Sequence, residues 1–163
     1  MGNYNNFTAA LANGRIAEEI VITSLTNMNL EVTDVATNPD YYEAGIDLIV
    51  NNGITIDVKN DNRCGSTGNV AVETMTNVGQ NKLGWLYTCK ASHIFFVDTT
   101  NEVVHCVRLN ELKELVKHGT FKVVYTHQYE CEKFYKEGEI VCVPINKLET
   151  LEHYVLLNYK TEK

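Results

Sequence analysis

Asp47, Asp57 and Lys59 are the residues whose types and spacing could do chemistry, provided the chain between them folds back on itself. The segment GIDLIVNNGITIDVKN, residues 45–60, reads as two strands joined at Asn-Asn-Gly. Loop length decides what faces what. A turn of Asn52-Gly53 alone would set Asp47 against Val58, Leu48 against Asp57 and Ile46 against Lys59, mixing apolar and charged residues on both faces. A loop of Asn51-Asn52-Gly53, with Gly53 in the left-handed position, sets Val50 against Ile54, Leu48 against Ile56 and Ile46 against Val58. One face is then wholly aliphatic. The other carries Asp47 opposite Asp57, Ile49 opposite Thr55 and Gly45 opposite Lys59. Because a slip of one residue exchanges the two faces, the apolar pattern selects the longer loop.

In that register two carboxylates lie roughly 5 Å apart at Cβ. Like charges directly opposite destabilise a sheet, and two carboxylates sharing a site resist joint ionisation. Something cationic belongs between them. Lys59 shares the face of Asp57, two residues on. A hard divalent ion is the other candidate, since Mg²⁺ takes one or two carboxylates and keeps its waters. The same pattern also suits a solvated outer face with an ordinary Asp-Lys pair.

The elements that must position these residues form a mixed α/β chain. Residues 8–27 read as a helix with Leu11, Ile16, Ile20 and Thr23 or Leu25 on one stripe, and with Gly14 as an interruption. A strand is expected at 31–36, a turn at Asn38-Pro39-Asp40, and a glycine-containing loop at 61–69. Strands follow at 70–74, 93–98 and 102–107, the last two as a hairpin, with 79–92 irregular or a short helix. A helix at 110–119 ends at its glycine, strands lie at 121–126 and 139–145, and Asn146 caps a last helix at 147–153. The expected fold is a central, largely antiparallel mixed sheet flanked by helices, in one domain spanning 1–163.

Composition narrows the class. The chain has 163 residues, 44% apolar and 21% charged, with 14 Lys+Arg against 21 Asp+Glu, for a net charge of −7. A disordered or collagen-like chain is excluded. So is a protein coated in positive charge for nucleic acid, and any such binding must be local. No apolar run approaches the ~18 residues of a membrane span. The N-terminus lacks a basic start followed by an apolar run, so no secretory signal is read and a cytoplasmic location is expected. The five cysteines, Cys64, Cys89, Cys106, Cys131 and Cys142, are widely spaced and read as free thiols. Structural zinc would call for clustered Cys and His at short spacing, and only His105-Cys106 are adjacent. His93, His118, His127 and His153 are scattered.

Gly45-Ile46-Asp47 followed by Asp57-Val58-Lys59 resembles the PD-(D/E)XK signature of restriction-endonuclease-like nucleases. Gly14-Arg15-Ile16-Ala17-Glu18 is similar to that superfamily's G-x-x-x-E pattern on the first helix. The likeness is to its small phage-type or resolvase-like members and covers residues 14 to about 100. It departs from the pattern in lacking a proline before Asp47, in having no Gln-x-x-x-Tyr helix motif, and in having Ser92 where some phage-like members carry Asp. The resemblance implies an αβββαβ core and a Mg²⁺- or Mn²⁺-dependent phosphodiesterase, a DNA endonuclease ahead of one acting on RNA. It implies that Asp47 and Asp57 bind the metal, that the Val58 carbonyl completes the shell, that Lys59 orients or helps deprotonate the attacking water, and that Glu18 holds a water or second ion.

Each residue also has a plainer reading. Glu18, like Glu19, suits a solvated helix face. Glu73, Arg63, Lys82 and Lys90 are secondary candidates for contact with substrate, Lys82 and Lys90 because they flank Trp85 and Tyr87. Asn60 and Asp61 could touch a phosphate or be plain loop residues. A homodimer is compatible with cutting two strands. The rival readings are a catalytically silent binding module of the same fold and a small acidic phage interaction or inhibitor protein.

Overall fold

The computed structural model describes residues 3–51, 53–130 and 133–160. Cys131 and Asn52 lie outside the described residues. The chain opens with α1 (Asn3–Asn27), longer than the sequence suggests. Its buried stripe is Ala17, Val21 and Leu25, at i, i+4 and i+8. Leu11 and Ile16, expected on that stripe, are 59% and 53% exposed. The small Ala17 meets the sheet instead and lets the helix axis approach it. Gly14 does not break the helix, and nothing lies within 4 Å of a Cβ built there. Gly14→Ala is therefore expected to stabilise the protein by about 0.5–1 kcal/mol, read as a shift in the urea midpoint, because only chain entropy changes.

Six strands form the main sheet in the order β1-β2-β3-β6-β7-β10. These are β1 (Val32–Asp34), β2 (Leu48–Val50), β3 (Ile54–Asn60), β6 (His93–Asp98), β7 (Val103–Arg108) and β10 (Val155–Asn158). A short helix, α2 (Pro39–Tyr42), separates β1 from β2 and is capped by the Asn38 side chain. Pairing is antiparallel except between β3 and β6, which run parallel. A parallel neighbour needs a crossover. Residues 61–92 supply it with α3 (Cys64–Thr67), β4 (Asn69–Asn77), β5 (Lys82–Leu83) and α4 (Trp85–Thr88). β4 leaves the main sheet and joins β8 (Lys122–Glu130) and β9 (Lys133–Pro144) in a second sheet of order β5-β4-β9-β8. The structure is thus a mixed α/β fold with a mixed sheet flanked by helices.

The two faces of the main sheet have separate cores. On one, Ala17, Val21 and Leu25 pack on Leu48, Val50, Ile56, Phe95, Val97 and Val104. On the other, Ile94 and Phe96 pack with Val70, Val72, Val141 and Val143 of the second sheet, with Leu86 of α4, and with Leu109 and Leu112 of α5 (Leu109–His118). β6 is buried along both faces, as a strand between two layers must be.

Three expectations near the chain end need correction. The helix expected at 147–153 is a single turn, α6 (Ile145–Leu148), begun by Pro144 rather than capped by Asn146. As the N-cap Pro144 is extended, with φ −60° and ψ 137°, a conformation its ring permits. The strand β10, which the sequence does not announce, pairs with β7 and closes the sheet edge. The strands of the second sheet run longer than expected, 122–130 and 133–144, because each pairs along nearly its whole length.

Candidate metal centre

The β2–β3 register follows the apolar pattern: Leu48 faces Ile56, Ile49 faces Thr55 and Val50 faces Ile54. Among the described loop residues Asn51, with φ 51°, is left-handed and Gly53 is not. Asparagine tolerates that conformation through its short polar side chain.

Before Leu48 the ladder breaks. The Asp47 amide donates to the Ile56 carbonyl at 2.9 Å, one residue off the position facing Asp57. Ile46 consequently turns into the core shared with the second sheet, not onto the face of Leu48 and Val50. The expected cross-strand facing of Asp47 and Asp57 is not formed. Instead the Asp47 Oδ2 accepts a hydrogen bond from the Val58 amide at 2.7 Å, taking the place of a strand carbonyl. The carbonyl of a strand residue points the same way as its N–H. That of Val58 is therefore directed to the Asp47 side, while its side chain packs against the α1 core.

Asp57 and Lys59 share the opposite face. The Asp57 side chain is 5% exposed, and the Lys59 Nζ lies 2.9 Å from its Oδ2. Nζ also sits 4.9 Å above the ring of Trp85, which in turn packs on Phe96. The ammonium is close enough to pair in charge but is off the direction of a hydrogen bond, so the buried Oδ2 has no hydrogen-bond donor. A buried carboxylate oxygen without a donor is costly. Lys59 already offsets its charge, and a metal ion would add the directed contact that the ammonium does not make.

Glu18 lies on α1, its side chain 16% exposed, and is held by Arg15 Nη1 at 2.7 Å. Arg15 Nη2 also pairs with Asp34 at 2.6 Å, which keeps the Asp34 carboxyl below its ordinary range. The charges of Glu18 and Asp57 both reach Asp47. Burial above all, then those two carboxylates, pushes the Asp47 carboxyl up to about 7, against the opposing Val58 hydrogen bond and the Lys59 charge. Asp47 thus lies in the field of two further acids and one lysine. The ligand atoms of Glu18, Asp47 and Asp57 do not all lie within 4.8 Å of one another. Holding an ion between them requires those side chains to rearrange.

The secondary candidates are placed differently. Glu73 Oε1 accepts from Thr76 Oγ1 at 3.0 Å and from the Trp85 amide at 3.3 Å, so it positions the residue beneath Lys59. Arg63, Lys82 and Lys90 are exposed and form no ion pair among the described residues. Lys90 lines a groove of about 640 Å³ with Arg108 and Lys113. Tyr87 is exposed, whereas Trp85 is a packing platform. Asn60 donates through Nδ2 to the Asn13 carbonyl at 3.1 Å, and its Oδ1 is buried without a partner. No helix is long and apolar enough to cross a membrane among the described residues. Comparison with protein-family models, curated proteins and solved structures finds no match.

Proposed function

We propose that this chain is a metal-dependent nuclease of the PD-(D/E)XK type, hydrolysing phosphodiester bonds in DNA by attack of water. The observation that carries the reading is the Asp57 Oδ2, buried without a donor, next to Lys59 and within electrostatic reach of Asp47 and, through it, Glu18. The order of α1, three antiparallel strands, a crossover containing α4, and a parallel β6 supports the αβββαβ core that the motif implies.

The donor set is all oxygen, which fits Mg²⁺ or Mn²⁺. Asp47, Asp57 and the Val58 carbonyl would hold the ion, with Glu18 holding a water or a second one. When bound, the ion would lower the pKa of water and offset charge on the phosphate. Lys59, fixed by Asp57 and Trp85, would orient the attacking water and steady the developing negative charge. To hold a water or second ion, Glu18 would turn from its present pair with Arg15, 2.7 Å away.

The near-complete burial of Asp57 also favours a second reading, a catalytically silent binding module of the same fold. One pair of measurements separates them. Calorimetry with Mn²⁺ is expected to give saturable binding, and labelled duplex and single-stranded DNA to be cut only with metal present, leaving a 5′-phosphate. Binding without cleavage leaves the silent module. No binding at all leaves an acidic interaction protein.

A further inference from the structure

Away from the carboxylate site, Cys64, Asp98 and His105 converge from α3, the end of β6 and the middle of β7. Each offers one ligand atom, and the three atoms lie within 4.8 Å of one another. All three residues are buried, at 0%, 0% and 4% exposure. No short Cys/His spacing announces the group. The parallel β3–β6 pairing and the β6–β7 hairpin assemble it.

The histidine supplies an independent pointer. Its Nδ1 is in a hydrogen bond with the Tyr154 hydroxyl at 2.9 Å. Its Nε2 is buried, has no hydrogen-bond partner, and stands 3.9 Å from Asp98 Oδ2. A metal-ligating histidine has this pattern, with the far ring nitrogen held by a second residue and the near one free. Donors around a tetrahedral zinc ion stand roughly 3.4 Å apart, so a small contraction closes the set.

Asp98 is arranged to remain an anion. Its Oδ1 accepts from the amides of Thr100 and Asn101, each at 3.0 Å, and its Oδ2 accepts from Asn101 Nδ2 at 2.8 Å. Three donors aimed at its two oxygens suit a carboxylate and not a protonated acid. Oδ2 keeps a lone pair for a further partner. Gly65 lets the chain pass close to the acid, since a Cβ there would come within 2.5 Å of Asp98 Oδ1. No lysine or arginine pairs with Asp98 among the described residues, and the other charges felt by His105 are Glu149 and Asp61, both acidic. A buried anion without a counter-cation is expensive.

The trio is not a hydrolytic triad. In a triad the carboxylate and the nucleophile bond opposite ring nitrogens of the histidine. Here the acid stands by Nε2 without bonding it, and Tyr154, not a carboxylate, holds Nδ1.

We propose that Cys64 Sγ, Asp98 Oδ2 and His105 Nε2 form a buried site for a zinc ion that links the crossover to the main sheet. Mixed sulfur, nitrogen and oxygen donors suit zinc better than Mg²⁺. Binding replaces the thiol proton by zinc and releases that proton to solvent, with no change of oxidation state. Three protein ligands leave the fourth tetrahedral position to a water. The site is independent of the proposed nuclease centre.

Titrating the metal-free full chain with Co²⁺ tests this. The expected spectrum has a thiolate-to-cobalt charge-transfer band in the near ultraviolet and strong visible bands of a tetrahedral ion, saturating at one ion per chain and displaced by Zn²⁺. Cys64→Ser and His105→Ala are expected to lose the band, whereas Cys89→Ser and Asp57→Ala keep it. An oxygen-only site gives no such band, so the two centres are read separately. A wild-type chain without the band, or a band that survives Cys64→Ser, overturns the proposal. If those variants fail to fold by circular dichroism, X-ray absorption of the zinc-loaded wild type decides. A single sulfur scatterer in the zinc shell supports the site, and none overturns it.

Discussion

Asp57→Asn is expected to lower Mn²⁺-dependent cleavage of labelled DNA by about a thousandfold or more, with Lys59→Met close behind. Removing one preorganised electrostatic group from a reacting centre costs about 10²–10³ in rate. Asp57→Asn is asked to do more, because it removes a metal ligand and the partner of Lys59 together. Nζ lies 2.9 Å from Oδ2 and 4.9 Å above Trp85. In the amide variant the ammonium keeps its aromatic platform but loses its counter-charge. Lys59→Met keeps much of the side-chain length and volume and loses only the cation. Each variant leaves one member of the Asp57–Lys59 pair uncompensated, so circular dichroism is read first to confirm that it is folded. Single-turnover kinetics at saturating Mn²⁺ check the result. Variants that cut as fast as the wild type would end the enzymatic reading.

The second large effect is a pH dependence centred on Asp47. Its carboxyl is pushed up to about 7, chiefly by burial and then by Asp57 and Glu18. A carboxyl raised in the folded state binds its proton more tightly there than in the unfolded chain. Stability from this group is therefore full below the unfolded value near 3.8, falls as pH rises towards about 7, and is level above that. The loss is on the order of 4 kcal/mol, at 1.36 kcal/mol for each pH unit. Asp47→Asn is expected to flatten this slope in urea melts at pH 5 and pH 8. A variant with the wild-type slope would show that Asp47 is not the group responsible. A divalent ion reverses the sign, since it favours the carboxylate and expels the proton. Mn²⁺ affinity should rise up to tenfold per pH unit below about 7, with about one proton released, as calorimetry in buffers of different ionisation enthalpy would measure.

Strict alternation from Leu48 to Val58 carried the β2–β3 register, because an error of one residue would expose Leu48, Val50 and Ile56 to water. The hairpin of β6 and β7 and the helix α5 were legible for a similar reason: each is defined by neighbours in the chain. Asp57 and Lys59 on one face followed from the same period of two. Local pattern could not show that the ladder breaks at Asp47, because that depends on Ile46 finding room in the core made with the second sheet. The buried stripe of α1 likewise shifts to Ala17, Val21 and Leu25, the side chains that meet the sheet.

β10 has no local signal, because a short edge strand owes its existence to β7, far away in the chain. The meeting of Cys64, Asp98 and His105 is the extreme case. Residue types say which atoms can ligate, but their distances are set by a parallel pairing across a long crossover. Which faces are apolar is written into neighbouring residues. Which faces meet, and so which polar atoms are left without partners inside, depends on packing between distant segments, and no local periodicity encodes it.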